Sequence, residues 1–93
     1  MVAENRLQIA LLTLMLKPEE VNRHIQDNLP CEFVDVRGDG RHFEAVIVSA
    51  SFRGKSRVQQ HQLVYRALGD GLREGIHALS MKTFSPEEWG KQK

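Results

Sequence analysis

The sequence lacks the features that mark disulfide-stabilised proteins, membrane proteins and strongly basic nucleic-acid-binding proteins. Its 93 residues include one cysteine, Cys31, which excludes an intramolecular disulfide and suits a reducing compartment. The mostly apolar run over residues 7–16 is too short for a membrane helix, which needs roughly 20 such residues, and no signal-peptide cleavage site follows it. Thirteen basic residues against twelve acidic ones leave a formal charge of +1, which gives no electrostatic case for nucleic-acid binding. These absences predict a cytoplasmic protein that does not bind membranes.

The chain also lacks the motifs of hydrolytic enzymes and of self-contained metal sites. It has no Gly-x-Ser-x-Gly elbow and no Gly-x-x-x-x-Gly-Lys-Ser/Thr phosphate loop. No Cys-x-x-Cys is present, and no two of the four histidines have the three- or four-residue spacing of a helical metal pair. A closed zinc site needs four such ligands, which would have to converge here from nearly every element. We therefore expect no enzyme, and no metal bound by the isolated chain.

What is present fits one small domain that begins with a helix. Lys17 precedes Pro18, which suits the first helical position, and acidic residues follow in the first turn. An apolar stripe at four-residue steps continues the helix, formed by Val21, Ile25 and Leu29. Met15 lies just ahead of this start. We therefore predict that residues 1–16 are an N-terminal extension that the fold does not need, and that residues 17–93 form the domain.

A β-hairpin is predicted next. Residues 31–37 show the alternation of a strand, with Val34 and Val36 on one face, and residues 42–52 form a second run of strong β character. The sequence Gly38-Asp39-Gly40-Arg41 between them is typical of a tight turn. The two runs should therefore pair as antiparallel neighbours.

The second half of the chain predicts a helix, a strand and a short final helix. Ser56 and Gln59 form a capping box for a helix that runs to about Leu68, with inward-facing residues Leu63, Val64, Ala67 and Leu68. A loop over residues 70–75 then leads to a third strand, 76–84, and Ser85 with Glu88 caps a last helix whose Trp89 folds back onto the core. The α-β-β-α-β-α order predicts an α+β domain whose three-stranded sheet is packed by helices on one face.

Few side chains are candidates for chemistry, and each has a plain alternative. Cys31 is either a reactive thiol or a packing residue beside a strand. His24 suits a solvated helix face, and His61 suits a surface or helix-packing position among glutamines. His42 and His77 both begin strands beside glycine-containing loops, so neighbouring strands would bring both imidazoles to one edge of the sheet. Pattern alone leaves a capping or partly buried role open for both.

Two long motifs resemble the signatures of the BolA family. They are the run from Phe52 to Tyr65, and Ile76-His77-Ala78-Leu79-Ser80-Met81-Lys82-Thr83 followed by Ser85-Pro86-Glu87-Glu88-Trp89. The short turn Gly38-Asp39-Gly40-Arg41-His42-Phe43 is similar to that of the IbaG-type branch of the family. The resemblance covers about residues 17–89 and implies a fold related to the class II KH domain.

The resemblance also implies a role in iron–sulfur biology together with monothiol glutaredoxins of the Cys-Gly-Phe-Ser type. In such complexes a 2Fe–2S cluster bridges the two proteins, with glutaredoxin and glutathione supplying thiolates. His77 matches the C-terminal histidine ligand of the family, and His42 matches the loop histidine by position. A 2Fe–2S cluster accepts two histidines in place of two cysteines, so this chain supplies half a ligand set. The shortness of the turn leaves open whether His42 reaches a cluster held near His77.

Nucleic-acid binding is the competing interpretation, since some BolA proteins are described as transcriptional regulators and the fold is KH-like. KH domains clamp the nucleic-acid backbone with a Gly-x-x-Gly loop, and no two glycines here are three apart. A basic patch around the second helix is still a candidate surface for a partner or for weak nucleic-acid binding; it comprises Arg53, Lys55, Arg57, His61 and Arg66. A third interpretation is a homodimerising module without metal.

Overall fold

A computed structural model describes residues 17–39, 42–75 and 78–92, apart from the side chains of 70–75 and 78. Its elements are α1 (Pro18–Asn28), β1 (Phe33–Gly38), β2 (His42–Val48), a 3-10 helix (Ala50–Phe52), α2 (Arg57–Gly75), β3 (Ala78–Phe84) and α3 (Pro86–Gln92). The predicted α+β class and element order are confirmed. The predicted extension, residues 1–16, lies outside the described residues. No helix in the described part of the chain has both the length and the apolar character needed to cross a membrane.

The three strands form one mixed sheet in the order β1-β2-β3. β1 and β2 are antiparallel, from Phe33 opposite Val48 to Gly38 opposite Phe43. β2 and β3 are parallel, from His42 opposite Ala78 to Val48 opposite Phe84. A parallel pair needs a crossover connection, which α2 provides. Both parallel strands therefore begin at the same edge of the sheet.

One face of the sheet packs against α1 and α2, as predicted. The core that results includes the buried side chains of Val21, Ile25, Phe43, Ile47, Val64 and Leu68. Of the other residues predicted to face inward from α2, Ala67 is buried and Leu63 is partly buried against the core. The opposite face, which we call the open face, carries exposed polar residues such as Glu44, Ser80 and Lys82.

Trp89 of α3 packs on the open face and not in the main core. Its ring stacks on Phe33 with centroids 5.3 Å apart and lies 5.4 Å from the ring of Phe84. Strand register places Val48 between these two phenylalanines, and Val48 is fully buried. The expectation that Trp89 folds onto the core is therefore corrected, because the aromatic side chains that it meets point to the other side of the sheet.

Both predicted capping boxes are confirmed. The backbone N–H of Gln59 donates to Ser56 Oγ at 3.2 Å, and the N–H of Ser56 donates to Gln59 Oε1 at 2.9 Å. The same reciprocal pair joins Glu88 N–H to Ser85 Oγ at 3.2 Å and Ser85 N–H to Glu88 Oε1 at 3.1 Å. These bonds satisfy backbone donors that have no partner inside the helix.

Two predicted boundaries are wrong. The second strand ends at Val48 and not at residue 52. The N–H of Ser49 still donates to the Phe84 carbonyl at 3.0 Å, but its hydroxyl donates to the Pro30 carbonyl at 2.5 Å and accepts the N–H of Ser51, so Ser49 caps the 3-10 helix that follows. The predicted loop 70–75 is helical. The helix predicted to end at about Leu68 does meet a break there, at Gly69, where φ is +80°. Glycine adopts this positive φ without steric cost, so the chain resumes a helical path after one residue.

Candidate functional site

The candidate site lies at the sheet edge where β2 and β3 begin. His42 is the first residue of β2, and its register partner is Ala78, the first residue of β3. Ala78 directly follows His77 in the chain; His77 itself lies outside the described residues. The sequence left open whether the two strands are neighbours, and the parallel pairing answers that question.

His42 projects from the open face, and its side chain is 72% exposed. The next residue, Phe43, is buried in the core, and successive side chains of a strand point to opposite faces. The imidazole is therefore accessible to another protein at the edge of the open face.

Asp39 holds His42 in place at the hairpin turn. The backbone N–H of His42 donates to Asp39 Oδ1 at 2.9 Å, and the N–H of Asp39 donates to the His42 carbonyl at 3.2 Å. The second carboxylate oxygen, Oδ2, lies 3.8 Å from His42 Nδ1. The sequence pattern predicts Asp39 as a turn residue, and its position three residues before His42 is the signal that links the two.

Gly38 explains how the hairpin closes so tightly. A Cβ atom at this position would lie 2.5 Å from the His42 carbonyl oxygen and 2.6 Å from Phe43 Cδ1. Real Cβ atoms do not approach backbone atoms so closely, so Gly38 is required by packing and not by its φ angle. The backbone position of His42 thus depends on two residues of the turn.

The described residues do not form a closed metal site. No group of three or more histidine, cysteine, aspartate or glutamate side chains within 17–39, 42–75 and 78–92 is arranged to hold a metal ion. An exposed imidazole at a strand edge suits a site that is completed by a second molecule. Half a ligand set on this chain is therefore compatible with the geometry of the described residues.

Cys31 is a poor candidate for chemistry. It is partly buried against the core, and burial raises the pKa of its thiol to about 11. The thiolate is the form that attacks electrophiles and binds metals, so Cys31 is held in the unreactive thiol form. It precedes β1, which runs antiparallel to β2, and therefore lies at the end of the sheet away from His42.

Two of the predicted partner-surface residues are engaged within the chain. Arg53 forms a two-pronged ion pair with Glu87 of α3, at 2.8 Å from Nε and 2.6 Å from Nη2 to Oε1. The hydrogen bond from Arg53 is the largest cause that lowers the pKa of the Glu87 carboxyl. Arg57 Nη1 donates to the Thr83 carbonyl at 3.2 Å. Lys55 and Arg66 are exposed, so the predicted patch is only partly available to another molecule.

His61 is a packing residue and not a surface histidine. It is half-buried, and within the described part of the chain its buried Nε2 has no hydrogen-bond partner. Burial, and then the nearby charge of Arg57, lower the pKa of the imidazole. A neutral imidazole in this position gives no cationic contact to a nucleic acid.

Gln60 anchors the segment that carries Arg53 and Lys55, a role that sequence reasoning missed. Its Nε2 donates to the Phe52 carbonyl at 3.2 Å and to the Lys55 carbonyl at 3.0 Å. Its Oε1 accepts the hydroxyl of Thr83 at 2.5 Å. The sequence does not indicate that Gln60 is the buried one, since the nearby Gln59 and Gln62 are the same residue type and are exposed.

His42 and Arg57 lie at opposite ends of the sheet. Arg57 contacts Thr83, near the end of β3, whereas His42 pairs with the first residue of that strand. The seven residues of β3 span about 20 Å at roughly 3.3 Å each. The predicted metal ligand His42 is therefore separate from the part of the predicted basic patch that contains Arg57.

Comparison with known proteins relates the chain to one family. Residues 5–88 match the family described as BolA-like protein. The acid stress protein IbaG of Escherichia coli strain K12 is 34% identical over 79 residues, which cover 84% of this chain and 94% of IbaG. A solved structure of a bolA protein homologue from Coxiella burnetii superposes with a TM-score of 0.72 at 38% identity, covering 81% of this chain and 97% of that chain.

A further relative has a name that includes a function. The DNA-binding transcriptional regulator BolA of Haemophilus influenzae is 48% identical over 56 residues, which cover 60% of this chain and 54% of that protein. The match thus spans about half the length of this relative. The family match begins at residue 5 and includes part of the predicted extension; that residues 1–16 are dispensable stays a prediction.

Proposed function

Because this chain belongs to the BolA-like protein family, we propose that it is an adaptor in iron–sulfur cluster biology. It binds a monothiol glutaredoxin of the Cys-Gly-Phe-Ser type and contributes His42 and His77 to a 2Fe–2S cluster that bridges the two proteins. The supporting observation is the position of His42, exposed at the start of β2 and opposite the residue that follows His77. The role is cluster trafficking or iron sensing in the cytoplasm, without an enzymatic activity of its own.

The ligand chemistry supports a shared cluster over a resident one. Two imidazoles complete a 2Fe–2S cluster when glutaredoxin and glutathione supply two thiolates, and the bound cluster supplies iron and sulfide for delivery. Cys31, with its raised thiol pKa, is not available as a replacement ligand. Because this chain supplies only half of the ligands, the isolated chain is expected to hold no cluster and to be colourless.

The orientation of His42 supports an approach of the proposed partner from one side of the sheet. His42 shares the open face with Glu44, its second neighbour along β2, whereas Phe43 between them is buried. A cluster on His42 therefore lies at the edge of the open face, at the end far from Trp89. The glutaredoxin would contact this edge, and not the connector before α2 that carries Lys55.

The test is reconstitution with a monothiol glutaredoxin, glutathione, iron and sulfide, followed by size-exclusion chromatography and visible spectroscopy. The wild-type chain should give a coloured heterocomplex, and His77→Ala and His42→Ala should each alter its spectrum. His24→Ala is the matched control, since His24 is an exposed histidine bonded to its own helix through the Glu20 carbonyl. If none of the three substitutions changes the spectrum, His42 and His77 are not ligands of the cluster.

DNA-binding transcriptional regulation is the second candidate, and the name of the Haemophilus influenzae relative supports it. Within the predicted basic patch, Lys55 and Arg66 are exposed and are the candidates for phosphate contacts. Sequence-selective binding that persists at physiological salt, and falls on Lys55→Ala, would favour this function over the adaptor role. Weak binding that vanishes as salt is raised would reflect non-specific electrostatics only.

A further inference from the structure

Two contacts join the carboxylate of Asp39 to His42. Oδ1 accepts the His42 backbone N–H at 2.9 Å, while Oδ2 lies 3.8 Å from the ring nitrogen Nδ1. The first contact fixes the carboxylate relative to the start of β2. The second turns one ring nitrogen toward a negative charge, and the rigid geometry of the imidazole then directs Nε2 away from that charge.

We propose that Asp39 is a positioning residue that selects Nε2 of His42 as the nitrogen offered to iron. This inference rests on the proposed adaptor function. Histidine ligands commonly donate their second ring N–H to a carboxylate, which fixes the tautomer and the ring orientation. Here the distance of 3.8 Å exceeds a hydrogen bond, so the carboxylate acts on Nδ1 as a nearby negative charge.

The tautomer gives the proposal a signature that does not depend on a cluster. Unperturbed neutral histidine prefers to carry its proton on Nε2, which would block that nitrogen as a ligand. A carboxylate facing Nδ1 favours the opposite tautomer, with the proton on Nδ1 and the lone pair on Nε2. Both side chains are mostly exposed, at 72% and 70%, so the carboxylate shifts the balance of tautomers in the free protein and does not abolish one of them.

Asp39→Asn is the informative substitution because it keeps the turn and places a hydrogen-bond donor, instead of an acceptor, beside Nδ1 of His42. The asparagine Oδ1 still accepts the His42 backbone N–H, so the hairpin stays closed. Its NH₂ group then faces Nδ1 and donates, which favours the lone pair on Nδ1 and the proton on Nε2. Asp35→Asn is the matched control: it removes the same charge from the open face, where Asp35 pairs with Arg37 and not with a histidine.

The first measurement is long-range proton–nitrogen NMR of the apo protein, at a pH above the range in which free histidine titrates. The fraction of His42 in the Nδ1–H tautomer should fall in Asp39→Asn and stay unchanged in Asp35→Asn. The second is the rate at which a chelator bleaches the reconstituted heterocomplex. Loss of an outer-shell partner costs about 10–100-fold in metal affinity, so Asp39→Asn should speed bleaching about 10-fold or more.

The outcomes separate this inference from the proposed function. Equal tautomer fractions in the wild type and Asp39→Asn would overturn the positioning role, as would equal bleaching rates of their complexes. In either case a wild-type cluster that depends on His42 would leave the adaptor function intact. A wild-type complex that holds no cluster would overturn both. Retained β2–β3 amide shifts in Asp39→Asn confirm that the variant is folded.

Discussion

Thr83→Val tests how α2 is held on the sheet. Thr83 is 1% exposed, and its hydroxyl donates to Oε1 of Gln60, which is 6% exposed. Valine keeps the volume and the β-branch, so the substitution removes one donor and creates no cavity. The Gln60 oxygen is then buried without its donor, and such a group costs about 1–3 kcal/mol. We expect the free energy of unfolding to fall by about 2 kcal/mol, from a total of about 5–15 kcal/mol.

Urea unfolding followed by circular dichroism measures this loss. With a slope of about 1–2 kcal/mol/M for a small domain, the midpoint should fall by about 1 M or more, and the slope should stay unchanged. Ser80→Ala is the control on the same strand, since Ser80 is exposed, and it should change stability by less than about 0.5 kcal/mol.

A double-mutant cycle separates the bond from the general cost of altering the site. Gln60→Leu removes the acceptor together with the donors to the Phe52 and Lys55 carbonyls, so it should cost more than Thr83→Val. The two changes combined should show a coupling of about 0.5–3 kcal/mol. A loss below about 0.5 kcal/mol for Thr83→Val, or additive effects, would refute the account of a buried hydroxyl–amide bond. Cluster binding should be unaffected, because Thr83 lies at the end of the sheet away from His42.

Four other predictions follow from the same structure. Trp89→Ala should destabilise the protein by about 2 kcal/mol in urea unfolding and expose the aromatic end of the open face, since it removes aromatic contacts with two phenylalanines. Arg53 lowers the pKa of the Glu87 carboxyl, so the pair stabilises the fold above the unfolded-state pKa, and this stabilisation is lost as pH falls through the lower folded-state pKa. Glu87→Gln should therefore weaken the decrease of the free energy of unfolding at acid pH. An unchanged decrease would contradict the role of the ion pair. Cys31, with a thiol pKa of about 11 against 9.0 for an unperturbed thiol, should react with iodoacetamide at neutral pH on the order of 100-fold more slowly than a free cysteine until urea unfolds the chain. Gly69→Ala should cost about 1–3 kcal/mol by thermal melting because φ is +80° there, and a neutral result would show that α2 can straighten.

Local signals predicted most of the helices and strands. The boxes at Ser56 and Ser85 are formed by residues three apart, so the sequence contains all the information that they need. The apolar steps of α1 and the hairpin turn are local in the same sense. These elements could be predicted because their stabilising contacts lie within one turn of helix or one β-turn.

The wrong boundaries arose where a distant residue decides the outcome. Residues after Val48 continue to look like a strand, but Ser49 bonds to the carbonyl of Pro30, 19 positions away. Gly69 resembled the end of a helix because glycine is common there, yet helical residues 70–75 follow it. A single positive φ breaks a helix or ends it, and the sequence does not distinguish the two.

The candidate site was predictable in part for the same reason. His42 follows a recognisable turn, so its position at a strand start is predicted by the sequence, whereas the exposure of its side chain is not. The engagement of Arg53 with Glu87 and of Arg57 with Thr83 joins residues 34 and 26 positions apart. A charge pattern along the chain does not reveal such pairs, and it therefore overstated the surface available to a partner.

The parallel pairing of β2 with β3 has a consequence for the order of folding. The hairpin of β1 and β2 joins residues close in the chain, whereas the edge at His42 and Ala78 forms only after the whole of α2 has been bridged. Closing so long a segment carries a larger entropic cost and makes non-local pairing slow. A nascent chain can therefore hold a formed hairpin, with His42 already displayed, before β3 docks beside it. The complete strand edge then exists only on a finished domain, so the partner that we propose would meet this edge only after the chain has matured.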